Sequence, residues 1–162
     1  MDVTVITLPE LVLVGHAARV PLIHEGVNPH IQQHIAAIAP EEHVRLKGLN
    51  DAEPSGILAV TGDIEPDAPE GTTLTYLHGV SLAPTTAVPD RLDVVRVEGG
   101  AWAVFSATGP FPETLQGLWA ATATEWFPSH PWRLRPGPSI VRYLEFTGTH
   151  ATCELWLAVE PE

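Results

Sequence analysis

The sequence is poor in cysteine, in basic residues and in long apolar runs, and each shortage argues against a class of protein. Its one cysteine, Cys153, has no second cysteine to pair with, so the chain forms no internal disulfide and we expect a cytoplasmic protein. No stretch approaches the roughly 20 consecutive apolar residues that a membrane-spanning helix needs. The N-terminus lacks a basic stretch followed by an apolar core, so we also expect no signal peptide.

Basic residues are scarce: eight Lys and Arg stand against 20 Asp and Glu, which gives a formal net charge of -12 over 162 residues. Such a chain repels polyphosphate, so we expect no direct binding of DNA or RNA. An acidic surface favours the approach of cationic small molecules, or of a basic patch on a protein partner. It also keeps a small protein soluble, which by itself explains most of the charge.

The first half of the chain predicts the order strand, helix, strand, strand. Residues 3–15 are β-branched and apolar around Pro9, which predicts a strand interrupted by a bulge or kink. Asn28-Pro29 is a typical helix start, and isoleucines at i, i+4 and i+7 then give an apolar face as far as residue 38. Residues 56–60 and 72–82 are typical of two further strands.

The second half repeats this order. Residues 92–105 form an extended run with Gly99-Gly100 near its middle, which predicts a bulge or hairpin kink. A helix begins at Pro112-Glu113, and two strands follow at residues 139–146 and 152–159.

Each half alone is too small to bury a core, so we expect the two halves to pack together. The sequence therefore predicts one α+β domain built from two pseudo-symmetric βαββ modules. Module 1 covers about residues 1–83, a linker covers about residues 84–90, and module 2 covers about residues 91–162.

The last strand carries a carboxylate and a tryptophan two residues apart, Glu154 and Trp156. Residues i and i+2 of a strand share a face, so these two side chains point the same way. A carboxylate in an apolar strand is costly to bury without a partner, so Glu154 either faces solvent or is held for a ligand. An anion beside an aromatic surface suits a flat ligand that is cationic or forms hydrogen bonds.

An ordered set of motifs resembles the GyrI-like family and covers essentially the whole chain. The motifs are Tyr76-Leu-His-Gly-Val80, Val88-Pro89, Gly99-Gly-Ala-Trp-Ala-Val-Phe105, Gly109-Pro110, Gly137-Pro138, Tyr143 and Glu154-Leu-Trp-Leu-Ala-Val159. The resemblance implies two βαββ modules side by side with a ligand cleft between them. The same fold serves as the effector-binding domain of AraC- and MerR-type multidrug regulators, and here we expect it to stand alone.

The resemblance also implies roles for particular residues. The family's pocket glutamate, which recognises cationic aromatic drugs, falls on Glu154. Stand-alone relatives are described as small-molecule binders, as gyrase inhibitors, and in some cases as hydrolases that open cyclopropane-bearing genotoxins. The hydrolases pair the glutamate with a tyrosine, for which Tyr143 is the matching candidate. Two positions depart from the family pattern: Val141 replaces an acidic residue, and Ala158 replaces a proline.

These considerations give a set of candidate ligand-binding residues, most of which also have a plain structural interpretation as packed strand residues. The set is Glu154, Trp156, Tyr143, Trp102, Tyr76, His78 and Phe105. If the protein is an enzyme, we expect Glu154 to act as general acid or base and Tyr143 to steady the developing charge.

A group of histidines offers a weaker possibility. His30 and His34 are four residues apart on the first predicted helix, and His24 or Glu25 could complete a transition-metal site. The pattern lacks the His-Glu-x-x-His sequence of zinc proteases and lies on the polar side of the helix, so a solvated helix face is the simpler explanation. No phosphate-binding glycine loop or nucleophile motif is present, and we expect neither a metal nor an organic cofactor.

The leading hypothesis is a small-molecule binder that takes hydrophobic, cationic or planar aromatic compounds in a cleft around Glu154, for drug sensing or sequestration. A hydrolase that acts on electrophilic, cyclopropane-bearing genotoxins in the same cleft is the alternative. A third hypothesis is an acidic protein-interaction module of the gyrase-inhibitor type. The natural ligand and the oligomeric state are not determined by the sequence.

Overall fold

The computed structural model describes residues 1–24, 26–65 and 67–162. In this part of the chain, nine antiparallel strands form one sheet: β1 Asp2–Leu8, β2 Leu11–Pro21, β3 Leu58–Gly62, β4 Thr73–Leu82, β5 Asp93–Val97, β6 Gly100–Pro110, β7 Trp132–Leu134, β8 Ser139–Phe146 and β9 His150–Pro161. The helices are α1 Pro29–Ala37, α2 Pro40–Leu49 and α3 Glu113–Ala121, which continues through a π-helical turn, Thr122–Trp126, into the short α4, Phe127–Ser129. The predicted α+β class is confirmed.

The strand order of the sheet is β1-β6-β9-β8-β3-β4-β2-β5, with β7 beside β9. The interruption predicted at Pro9 is therefore a complete break, because β1 and β2 pair with different strands. Proline lacks the N–H that a ladder needs, which ends β1 here. The single run predicted over residues 92–105 is likewise divided into β5 and β6, which pair with strands from opposite ends of the order. The predicted single strands were wrong at both places.

The connections between these strand pairs force the sheet to curve. In a flat sheet, six steps of ~4.8 Å would place β1 and β2 roughly 29 Å apart. The three residue steps from Leu8 to Leu11 span at most about 11 Å. The β5–β6 connection is equally short, and a Cβ on its Gly99 would lie 3.1 Å from backbone atoms of Pro9 and Glu10. The two connections thus touch, and the sheet bends into a trough.

The two faces of this trough have different coverings. On one face, a single apolar cluster joins strands from both halves of the chain: Leu11, Leu13, Leu58, Val60, Leu77, Val97, Trp102, Val104, Ile140, Trp156 and Ala158. On the other face, three separate clusters lie beneath α3, α2 and α1. Only the inside of a bend brings such distant strands into one cluster, so the first face is the concave face and the second is the helix-covered face.

The sequence predicted helix α1 but not helix α2. Asn28 caps α1 as predicted, because its side-chain oxygen accepts hydrogen bonds from the backbone N–H groups of His30 and Ile31. Ile31 and Ile35 pack onto the sheet, and the helix ends at Ala37. The sequence did not predict α2, since Leu46 is its one buried residue and the apolar periodicity is weak.

Other expectations about the organisation of the chain are met only in part. Among the described residues, the helices are all too short and too polar to cross a membrane. Residues 83–92 join β4 to β5, and the division of the chain into two modules with a linker at about residues 84–90 stays a prediction. The pseudo-symmetry of the two modules stays a prediction.

Candidate ligand-binding face

Glu154 and Trp156 lie on the concave face, at the middle of β9. Trp156 is part of the concave-face cluster, and Glu154 is two residues away on the same strand. The ladder places Glu154 between Ser106 of β6 on one side and Arg142 of β8 on the other. The sheet therefore directs the carboxylate into the trough, beside a tryptophan.

Two donors hold the carboxylate of Glu154 by the same oxygen. Oε1 accepts hydrogen bonds from Nη1 of Arg142 at 3.0 Å and from the indole Nε1 of Trp156 at 3.2 Å. The Glu154 side chain is 19% exposed and that of Arg142 is 26% exposed. Within the described part of the chain, Oε2 accepts no hydrogen bond, and it is not a buried atom. One carboxylate oxygen is thus accessible from the trough.

Arg142 is a site residue that the sequence did not reveal. Its Nε donates to the backbone oxygen of Ser55 at 2.7 Å, and its Nη2 donates to Ser55 Oγ at 2.9 Å. Arg142 shares a strand face with Ile140, which belongs to the concave-face cluster. The alternation of β8 could have predicted that face, but the pairing with Glu154 depends on the β8–β9 register.

Trp102, one of the predicted ligand-binding residues, lies on the concave face in an environment unsuited to stacking on a ligand. It is fully buried, and its ring lies 6.4 Å from that of Trp156 at an interplanar angle of 63°. The guanidinium of Arg135 lies 5.2 Å from the centroid of the Trp102 ring. An internal cation therefore already interacts with this ring. The buried Nε1 of Trp102 has no hydrogen-bond partner among the described residues.

Tyr143 does not meet Glu154. It is opposite Cys153 in the ladder, one residue out of phase with the Arg142–Glu154 pair, so it lies on the helix-covered face. Its ring packs near Phe111 and Phe146, at 5.8 and 5.4 Å between centroids. Burial raises the pKa of its phenol to about 12. The glutamate–tyrosine pair expected for a hydrolase is therefore not assembled.

The other three predicted ligand-binding residues are also on the helix-covered face. Tyr76 is buried beneath α1 with its ring edge-on to His34, and burial raises its pKa. Phe105 is fully buried, edge-on to Trp126 with 5.1 Å between centroids. Of the seven predicted residues, the structure brings together Glu154, Trp156 and Trp102.

His78 lies beneath α2, and its environment keeps the ring neutral. Its Nε2 is 2.9 Å from Nδ1 of His43, and the residue is 7% exposed. Burial is the largest cause that lowers its pKa, to about 4, with smaller contributions from His43, His34 and His16. Its chemistry is that of a packed core histidine.

Two of the three histidines considered for a metal site, His24 and His34, are engaged elsewhere. Nε2 of His34 is 2.8 Å from the backbone oxygen of His16, and Nε2 of His24 is 3.3 Å from that of Ala68. Among the described residues, no three metal-ligating side chains are grouped together. Glu25, the other suggested ligand, lies outside the described residues.

A cavity of about 420 Å³ opens on the concave face at the far end of the β3–β8 pair from Glu154. It has an apolar floor and a rim that includes acidic residues; its lining is Val60, Gly62, Asp63, Ile64, Glu65, Thr75, Leu77, Val95, Arg96, Gly137 and Pro138. Between this cavity and Glu154 lie Ile140 and Trp156, which pair across β8 and β9. Both side chains are buried in the concave-face cluster, so packed apolar residues separate the cavity from the partly exposed carboxylate.

The chain is similar to proteins of one family. The family model of a GyrI-like small molecule binding domain matches residues 1–160. None of the curated proteins compared with the chain matches it significantly.

Solved structures share the fold. The structure of SAV2435 bound to tetraphenylphosphonium has a TM-score of 0.68 at 22% identity, over 99% of this chain and 94% of that one. EcmrR in its complex with DNA has a TM-score of 0.66 at 14% identity, over 99% of this chain and 58% of that one. A hydrolase from Listeria innocua has a TM-score of 0.52 at 14% identity, over 98% and 92%. At these identities the likeness concerns the fold.

Proposed function

Because the chain belongs to the family of GyrI-like small-molecule-binding domains, we propose that it binds hydrophobic aromatic compounds, cations included, in the concave trough around Glu154. The likeness of its motifs to that family, predicted from the sequence, is confirmed. Sensing or sequestration of such compounds is the role that this binding would serve.

The observation that carries the proposal is the accessible oxygen of Glu154. A carboxylate that is four-fifths buried is screened less by water than a surface carboxylate, and Arg142, at 3.0 Å from Oε1, balances part of its charge. Trp156 adds a large apolar and aromatic side chain next to it. An organic cation with aromatic rings matches both properties.

A ligand that reaches from Glu154 towards the cavity would have to part the packed side chains of the concave face. Ile140 and Val60 are apolar and almost fully buried, and they lie between the carboxylate and the 420 Å³ cavity. Aromatic rings that separate these side chains would be removed from water. SAV2435, which has this fold, is bound to tetraphenylphosphonium, a cation of this chemical class.

Hydrolysis is the weaker alternative for the same trough. Glu154 alone could activate a water molecule, but Tyr143 lies on the other face of the sheet and cannot steady a developing charge there. Binding therefore has better support from the geometry than turnover.

A crystal structure of the protein with tetraphenylphosphonium tests the proposed location. We expect the phosphonium on the concave face, with a phenyl ring against Trp156 and the charge nearest Oε2 of Glu154. A cation bound on the helix-covered face, near Tyr76 or Tyr143, would contradict the proposal, and so would an unoccupied trough at saturating ligand.

A further inference from the structure

We propose that Arg142 is an internal competitor for the cation position at Glu154, so that it sets the selectivity of the trough against cationic ligands. This inference rests on the proposed function. It concerns a residue that the motifs of the sequence do not single out, and it is carried by the way Arg142 is held.

Arg142 donates more hydrogen bonds to Ser55 than to Glu154. Two of its N–H groups donate to Ser55, at 2.7 Å to the backbone oxygen and at 2.9 Å to Oγ. A single N–H reaches Glu154, at 3.0 Å to Oε1. Strong arginine–carboxylate pairs use two parallel hydrogen bonds. The loop before β3 thus holds the guanidinium of Arg142 next to the carboxylate of Glu154. The guanidinium donates to one of the two carboxylate oxygens.

Among the described residues, both Arg142 and Glu154 keep hydrogen-bonding groups that have no partner. A guanidinium has five N–H donors, and three of those of Arg142 are engaged within the described part of the chain, so two remain. Oε2 of Glu154 likewise accepts nothing from the described residues. The pair therefore offers a free acceptor and free donors on the same partly exposed surface of the trough.

Two kinds of ligand meet this pair differently. A monocation meets a carboxylate whose charge Arg142 already balances, so it gains full attraction only if the guanidinium turns away. Because Arg142 is 26% exposed on a long side chain, water can receive the displaced group. A neutral aromatic ligand with a hydrogen-bond acceptor meets the free N–H donors with no displacement. Arg142 thus lowers the affinity of the trough for cations and does not oppose neutral hydrogen-bonding aromatics in this way.

Calorimetric titration with two matched probes tests this assignment. Tetraphenylphosphonium supplies the cation, and triphenylphosphine oxide supplies a neutral aromatic acceptor. Arg142→Gln removes the competing guanidinium and its charge-assisted hydrogen bond to Glu154. We therefore expect this variant to bind the phosphonium about tenfold more tightly than the parent. The phosphine oxide should bind Arg142→Gln no more tightly than it binds the parent.

Arg133→Gln is the control for net charge. Arg133 is 64% exposed and pairs with Glu160 at 2.9 Å, so its removal also frees a carboxylate, on the surface of the β7–β9 pair. We expect its phosphonium affinity to stay within about twofold of the parent value, because an exposed charge is screened.

Ser55→Ala keeps Arg142 but removes the hydrogen bond at Oγ, and it serves if Arg142→Gln fails to fold. It should bind the phosphonium about threefold more tightly, since one of the hydrogen bonds that the guanidinium donates to Ser55 is lost and Arg142 is displaced more easily.

The outcomes separate this inference from the proposed function. Suppose that the parent binds the phosphonium and that Glu154→Gln binds it more weakly. If neither Arg142→Gln nor Ser55→Ala then binds it more tightly than the parent, Arg142 is not a competitor, and the inference alone is wrong. If Glu154→Gln binds as the parent does, or if neither the parent nor Arg142→Gln binds, the proposed role of Glu154 fails and the inference fails with it.

Discussion

Four histidines meet where α1 and α2 cover strands β2 and β4, and one of them is poised to respond to acid. His78 is buried and contacts His43. His16 pairs with Glu42 at 2.7 Å, and His34 bonds to the backbone of His16. Protonation of His78 would place a charge in a buried seam beside other titratable rings.

The stability of the protein should therefore fall as the pH falls from 6.5 towards 4. The pKa of His78 is about 4 in the folded state and about 6.5 in the unfolded state, so the unfolded chain binds the proton more readily in this range. Between pH 7 and pH 5, His78 alone should lower the free energy of unfolding by about 2 kcal/mol. Urea denaturation at the two pH values measures this loss.

His78→Asn should flatten that pH dependence, and His24→Asn, at an exposed position on the same half of the chain, should leave it unchanged. The same loss in the parent and in His78→Asn would show that another group is responsible.

The candidate site shows how far the sequence leads at the scale of residues. The two-residue alternation of a strand correctly placed Glu154 and Trp156 on one face. It could not relate Tyr143 to Glu154, because that depends on how β8 and β9 are aligned. The ladder pairs Arg142 with Glu154, and a difference of one residue moves Tyr143 to the opposite face.

Among the elements, the pairing of β2 with β4 depends on two facing glycines. Gly15 is opposite Gly79 in the ladder. A Cβ on Gly15 would lie 2.1 Å from the backbone oxygen of His78, and a Cβ on Gly79 would lie 2.0 Å from that of Val14. Because both obstacles are backbone atoms, the strands would have to separate to admit a side chain.

Gly79→Ala should therefore destabilise the fold by about 2–3 kcal/mol or more, the range of an overpacked core position. Gly117→Ala is the control, since no atom of the described residues lies within 4 Å of a Cβ there and alanine favours the helix α3. We expect Gly117→Ala to be neutral or slightly stabilising in urea denaturation. A loss in Gly79→Ala no larger than in Gly117→Ala would show that the strands adjust freely.

Local signals explain which elements the sequence could predict. The Asn28-Pro29 start and the isoleucine spacing gave α1, because a cap and an apolar face are encoded within a few residues. The helix α2 has Leu46 as its one fully buried residue, so its apolar pattern is too weak to detect. A bulge or kink was predicted at Pro9 and near Gly99, but the complete separation of the strands there is set by long-range pairing.

For the molecule as a whole, the net charge of -12 is compatible with the protein-interaction hypothesis. That hypothesis must therefore be distinguished from the binding of a small molecule at Glu154. A surface that imitates nucleic acid acts through exposed charges, and salt screens these steeply. The attraction at Glu154 comes from a carboxylate that is largely buried, beside an apolar trough. The two hypotheses therefore differ in how binding responds to ionic strength.

The measurement that tests the account most directly is a tryptophan-fluorescence titration of the parent and Glu154→Gln with tetraphenylphosphonium, at about 0.05 and about 0.5 M salt. Trp156 donates a hydrogen bond to Glu154, so its emission should report occupation of the trough. Glu160→Gln removes the same charge from a more exposed position and serves as the control.

We predict saturable quenching in the parent that weakens about threefold or less at the higher salt. We also predict about tenfold weaker binding in Glu154→Gln, with Glu160→Gln unchanged. Equal affinities of the parent and Glu154→Gln, or a loss of binding at the higher salt, would contradict a ligand site at Glu154.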